Sequence, residues 1–122
     1  MHRRRVAAFV LAVAASHALA QAPQLLVQSS PLAGFRYHDA QAVFGRIQVG
    51  DALNLVREPA NAHDTNAIRV EWQGHMLGYV PRKENAALAW ALDRGERVRA
   101  RVSQLREAPN PRDRIRFEVL AD

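Results

Sequence analysis

The chain has 122 residues, with 17 basic and 12 acidic side chains and a formal net charge of +5. It contains no cysteine, which excludes disulfides, thiolate zinc sites and cysteine nucleophiles. Its longest apolar run, Val6 to Ala15, is about half of the roughly twenty residues that a bilayer-spanning helix needs.

That run lies in a recognisable context. His2, Arg3, Arg4 and Arg5 form a basic start, and Ala18-Leu19-Ala20 followed by Gln21 is a small-x-small cleavage pattern. Residues 1–20 therefore read as a signal peptide, which predicts an exported protein, periplasmic or secreted, with no membrane attachment after cleavage. An uncleaved anchor or a buried helix is the competing reading. Without a cysteine, a lipoprotein is excluded. Cleavage would remove Arg3, Arg4 and Arg5 and leave 14 basic against 12 acidic side chains, a net of +2. An argument for nucleic-acid binding then depends on where the arginines lie, since net charge is small.

The remainder is one domain by length. Residues 21–34 read as a linker with a short first strand at Leu25 to Val27, and residues 35–122 as the folded domain. Phe35 to Ile47 reads as one or two strands and Gly50-Asp51 as a turn. Ala52 to Arg57 is a strand, and a polar loop follows. In Ala67 to Trp72, Ile68, Val70 and Trp72 alternate with Arg69 and Glu71, the period of a half-buried strand. Gln73-Gly74-His75 turns the chain, and Met76 to Val80 returns as the hairpin partner. Lys83 to Arg94 is the one good helix, with Leu88 and Leu92 on one face and Gly95 as its stop. Arg97 to Ser103 and Arg114 to Leu120 are the last strands, joined through Ala108-Pro109-Asn110-Pro111. The expected fold is mainly β: a small antiparallel barrel of about six strands with one main α-helix. An open α+β sandwich is the alternative.

Arginines recur every second residue near the C-terminus: Arg97, Arg99 and Arg101, then Arg112, Arg114 and Arg116. Val98, Val102, Ile115, Phe117 and Val119 point the other way. If the two strands pair, the six cations share an outer patch. That patch is either a phosphate-binding surface or a solvated face partly neutralised by Glu96, Glu107, Asp113 and Glu118.

The stretch REPANAHDTNAIRVEW, Arg57 to Trp72, places Asn61, His63, Asp64 and Asn66 in one loop. A metal site drawn from His63 and Asp64, with His38 or His75, matches no zinc spacing, and the loop lacks the carboxylates of a calcium loop. Ser29, Ser30 and Ser103 lie in no nucleophile-elbow context, and no glycine-rich phosphate loop exists. No enzyme activity, metal or cofactor is expected. The plain alternative is that Asn61, Asp64 and Asn66 bond the backbone of a long turn.

The same stretch, followed by GYVPR at Gly78 to Arg82 and preceded by Phe35-Arg36-Tyr37 and Gly50-Asp51, resembles the HIRAN family over about Phe35 to Leu120. The resemblance implies an OB-like barrel and an aromatic-rich strand at Phe35-Arg36-Tyr37. It also implies a module that binds single-stranded DNA and captures a 3′-hydroxyl end. It implies that Asp64 bonds the terminal hydroxyl and Tyr37 stacks on a base. Arg36 and Arg82 lie near phosphates, and Asn61 lines the same pocket. Two positions depart from the family: His63 stands where a Tyr is found and Tyr79 where a His is found, each keeping a flat ring. Family members are often fused to helicase-like ATPases and RING domains, but this chain carries neither an ATPase motif nor a cysteine. The expected partner is single-stranded DNA or a DNA end. The alternative is an exported structural or protein-interaction domain that keeps the fold. Convergence of the site residues on one cleft would favour the first reading, and scatter the second.

Overall fold

The computed structural model describes residues 24–121. The signal-peptide expectation, residues 1–20, lies outside them. Six strands form one antiparallel sheet: β1 (Leu25–Pro31), β2 (Ala52–Arg57), β3 (Ile68–Trp72), β4 (His75–Tyr79), β5 (Val98–Leu105) and β6 (Ile115–Ala121). Their order is β1-β6-β5-β2-β3-β4. The sheet curls until its two edges meet. Just beyond β1, the Ala33 amide donates to the Tyr79 carbonyl at 2.9 Å and the Tyr79 amide donates to the Ala33 carbonyl at 2.8 Å. The bridge joins the two ends of the sheet order at one point and so closes a barrel, leaving less open edge than a flat sheet would. The mainly β, OB-like expectation holds.

Alternation explains the strands. Along β3, Ile68, Val70 and Trp72 are buried while Arg69 and Glu71 are half-exposed; along β6, Ile115, Phe117 and Val119 are buried. These side chains meet in one core with Leu32, Leu53 and Leu77. β3 and β4 are joined through Gln73 and Gly74, both at positive φ (45° and 80°), with Trp72 paired to His75. That is the left-handed geometry a two-residue hairpin requires.

Gly78 is needed for closure. A Cβ at this position would collide with the Ala33 carbonyl oxygen and crowd Leu32. The strand can approach its neighbour only because residue 78 has no side chain.

Three expectations about secondary structure differ from the structure. Phe35 to Ile47 contains no strand. It forms a 3-10 turn (Phe35–Tyr37), a one-turn helix α1 (Ala40–Val43) and a second 3-10 turn (Phe44–Arg46). Its buried residues are Phe35, Ala40, Val43 and Ile47, a spacing of three to five that fits turns of helix. The aromatic-rich strand that the resemblance implied is therefore a turn. The main helix is also shorter than expected. Arg82–Glu84 is a 3-10 turn, and α2 runs Ala86–Asp93. Leu88 and Ala89 are buried and Leu92 packs on the core, so the docking face is the expected one. The first strand is longer than expected, because β1 pairs with β6 from Leu25↔Ala121 to Pro31↔Arg116.

The six-arginine patch does not form. Only Arg99, Arg101 and Arg116 of the six lie within β5 and β6. Arg101 is neutralised by Glu118, its cross-strand partner, at 3.0 Å. Arg114 turns away, donating to the Ala108 carbonyl at 2.9 Å and lying 5.1 Å from the Phe35 ring centre. Arg112 sits in a 3-10 turn, Pro111–Asp113.

Candidate nucleic-acid interface

The polar loop between β2 and β3 is organised by its own side chains. Asn61 accepts from the backbone amides of His63 and Asp64 at 2.9 and 3.1 Å, and its amide donates to Glu58 at 3.0 Å. Asp64 accepts the Asn66 amide through Oδ1 at 2.9 Å and the Asn85 side chain through Oδ2 at 2.7 Å. Asx-type bonds of this kind hold turns that lack a ladder. Asn85 is buried just before α2, so its bond ties the loop to the helix. Arg57 adds a second tie. Its guanidinium donates to the Thr65 and Ala67 carbonyls and to both oxygens of Asp93 on α2. Bonding to Arg57 holds the Asp93 carboxyl below its ordinary value, and the same bond raises Arg57.

These bonds bring five of the seven expected residues together. Asn61, His63, Asp64, Tyr79 and Arg82 line one cleft of about 310 Å³, with Ala33, Ala67 and Val80 as its apolar lining. His63, Asp64 and Arg82 also border an adjoining cleft of about 390 Å³ that reaches Asn85 and Ala86 at the start of α2. The Tyr79 hydroxyl donates to Glu58 at 2.9 Å. Burial, and then the bond and charge of Glu58, raise the Tyr79 pKa.

Arg36 and Tyr37 do not join the first cleft. They line a neighbouring one of about 320 Å³, with Gly34, Asn110 and Arg112. Ala33 lines both, so the two clefts border the residue that bridges to Tyr79. Tyr37 is 81% exposed, a large aromatic ring without a packing role. Two roomier clefts, about 460 and 410 Å³, lie elsewhere and contain none of the seven residues. The larger lies between β1 and α2 and is walled mainly by apolar side chains.

Several contributors escaped the sequence reading. Glu58 holds both Asn61 and Tyr79, Arg57 pins the far arm of the loop, and Asn85 fixes the Asp64 carboxylate. Glu58 and Arg57 stand at the head of the loop motif, where their position was the available signal. Nothing local marked Asn85, whose partner is 21 residues away. Among the described residues, no three His, Cys, Asp or Glu side chains gather in a way that could hold a metal. No described helix is long and apolar enough to cross a membrane.

The HIRAN domain model matches residues 25–122. A Fanconi-associated nuclease 1 homolog from Oryza sativa subsp. japonica is 37% identical over 73 residues, which is 57% of this chain but 7% of that protein. The chain thus corresponds to a small part of that relative. The crystal structure of a protein from Lactobacillus plantarum superposes with a TM-score of 0.68 at 29% identity, covering 82% of this chain and 98% of that one. The HIRAN domain of human HLTF superposes with a TM-score of 0.58 at 19% identity, over 78% of this chain and 75% of that one, a likeness of fold.

Proposed function

Because this chain belongs to the HIRAN domain family, a family of nucleic-acid-binding modules, we propose that it binds single-stranded DNA and holds a 3′-hydroxyl end in the loop cleft. The observation that carries this reading is the convergence of Asn61, His63, Asp64, Tyr79 and Arg82 on one cleft. Asp64 has one hydrogen bond on each oxygen. A carboxylate offers about four acceptor positions, so a terminal hydroxyl can still donate to it. The same negative charge repels the phosphate of a strand that continues. Arg82 is exposed beside it and supplies the salt-dependent attraction for the adjoining phosphate. Tyr37 offers a ring face to a base, and stacking of this kind contributes about 1–3 kcal/mol without sequence preference.

In this reading the module binds and does no chemistry of its own. The nuclease in the relative's name describes a protein of which this chain matches 7%. From residues 1–20 we further propose export, checked by N-terminal sequencing of protein from a periplasmic fraction, where Gln21 is the expected first residue. Recovery of the full-length chain from cytosol alone would count against it.

The test of end capture is a pair of affinities at one fixed salt, for oligonucleotides ending in a 3′-hydroxyl or a 3′-phosphate. The wild type should prefer the hydroxyl. Asp64→Asn removes the charge, keeps an acceptor oxygen and should erase most of the preference by improving the phosphate end. Equal wild-type affinity for both ends removes end capture and leaves general strand binding. No affinity for either favours an interaction domain that retains the fold.

A further inference from the structure

We infer that Arg112 is a phosphate ligand that works with Arg36, the pair clamping a phosphodiester on the 5′ side of the terminal nucleotide. This rests on the single-strand reading above and extends it to a residue outside the polar loop.

The second cleft is built from two turns far apart in sequence. One carries Arg36 and Tyr37, the other Asn110 and Arg112. They are joined by the Arg114 guanidinium, which lies over the ring of buried Phe35, a residue of the cleft wall. The Arg112 turn is fixed from both ends. Its backbone amide donates to the Asn110 side chain at 3.1 Å, Pro111 occupies the first turn, and the Arg114 amide donates to the Pro111 carbonyl at 3.2 Å. The turn that carries Arg112 is thus fixed, on the cleft that Arg36 also lines.

Both guanidiniums are exposed, and neither has a partner among the described residues. That separates them from Arg57, Arg69, Arg94 and Arg101, each of which pairs with a carboxylate. The nearest acids in sequence are Asp113 and Asp39, both exposed, and neither pairs with Arg36 or Arg112. Two guanidiniums lining one cleft repel each other unless an anion lies between them. A phosphate fits, since its oxygens accept the forked N–H donors of arginine. This cleft and the loop cleft share Ala33 as a wall residue. In the proposed binding mode a strand with its end at Asp64 and its first phosphate at Arg82 passes Ala33, brings a following phosphate to Arg36 and Arg112, and lays a base on Tyr37.

The test uses the whole chain, oligothymidylates with a 3′-hydroxyl, and fluorescence anisotropy at several salt concentrations. Arg112→Ala should weaken binding by about tenfold and lower the salt slope by about one, the loss of one phosphate contact. Arg97→Ala is the control. It removes the same charge at an exposed position that lines neither cleft, and should leave the slope unchanged. A second arm replaces each phosphodiester in turn with a neutral methylphosphonate. One linkage should weaken the wild type most, and its effect should shrink in Arg112→Ala, where only the Arg36 contact remains to be lost. The melting temperature of Arg112→Ala should match wild type, because its side chain makes no contact to lose. If Arg112→Ala behaves like Arg97→Ala, or the methylphosphonate losses add at every linkage, the clamp is wrong while strand binding stands. If the wild type binds no oligonucleotide even at low salt, strand binding falls and the clamp falls with it.

Discussion

The two clefts differ in how their polar groups are employed. Around the loop cleft, Asn61, Asp64 and Tyr79 are each bonded to another part of the protein, and Glu58, Arg57 and Asn85 brace them. In the second cleft, Arg36, Tyr37 and Arg112 project from short turns and make no side-chain bond. A wall that must present one carboxylate in one place needs its bonds satisfied and its geometry over-determined. A wall that holds phosphates and stacks on a base can leave its side chains to order on binding, at some entropic cost. The chain thus carries bonded residues that shape one cleft and unbonded, exposed residues that line the other. The two groups should separate in stability measurements.

The largest effect should come where the two clefts meet. Gly78→Ala forces a Cβ into the Ala33 carbonyl and so opens the Ala33–Tyr79 bridge. Overpacking costs about 1–3 kcal/mol, and loss of two backbone hydrogen bonds adds about 1–3 kcal/mol. Chemical denaturation should show the loss, and DNA binding should fall for both clefts together. An unchanged midpoint would mean that the barrel closes without this bridge. Leu88→Ala comes next, at about 2–5 kcal/mol for a buried leucine that leaves a cavity. It should loosen α2, and with it Asn85 and the loop wall, while the Arg36–Arg112 wall keeps its shape.

Asn61→Ala should cost about 1–3 kcal/mol, the price of leaving the His63 and Asp64 amides without their acceptor. Tyr37→Ala is its counterpart. It should alter stability by no more than about 0.5 kcal/mol, as for other exposed side chains, yet weaken single-strand binding by about 1–3 kcal/mol. If Asn61→Ala is silent in denaturation and Tyr37→Ala is costly, the division between the two clefts is reversed.

Much of this architecture was legible in the sequence, and what was not has identifiable causes. β3 and β6 were readable because alternate residues are buried along their length. Five of the seven site residues cluster because Asn61, His63 and Asp64 share one polar loop and Tyr79 and Arg82 lie at and just beyond the end of β4 beside it. Phe35 to Ile47 misled because its aromatics look like strand formers, while its buried positions fall at helical spacing. The alternating arginines misled for another reason. Period two places side chains on one face only where a strand continues, and Arg112 and Arg114 lie before β6 begins. Asn85 was invisible because its significance depends on a distant partner, Asp64, and Arg112 was legible only as a member of the arginine series, because the cleft it shares with Arg36 is made by the fold. The bonds of Asn61 and Asp64 also bear out the plain reading of the loop. Their composition serves the turn first, and that fixed turn is what presents the Asp64 carboxylate.

The smallest expected effect tests the brace itself, through acid. Arg57 lowers the Asp93 carboxyl below its ordinary value of 3.8. A depressed acid favours folding while it is ionised, so its contribution is fully present above 3.8. It shrinks as pH falls and is lost once pH drops through the lowered folded value. Arg57 stays protonated throughout, since its own value is raised. Asp93 is exposed on α2, so solvent and salt screen the pair and the stability difference is modest. Denaturation midpoints of wild type and Asp93→Asn should therefore differ near neutral pH, differ less in high salt, and converge in strong acid. The loop should register the change as well. Without Asp93, Arg57 keeps its bonds to the Thr65 and Ala67 carbonyls but loses its hold on the helix. Amide exchange in residues 61–66 should then quicken at neutral pH, with no matching change around Arg36 and Arg112. A midpoint difference that persists unchanged into strong acid would show that Asp93 acts through packing or helix propensity, and that Asn85 is what ties the loop to α2.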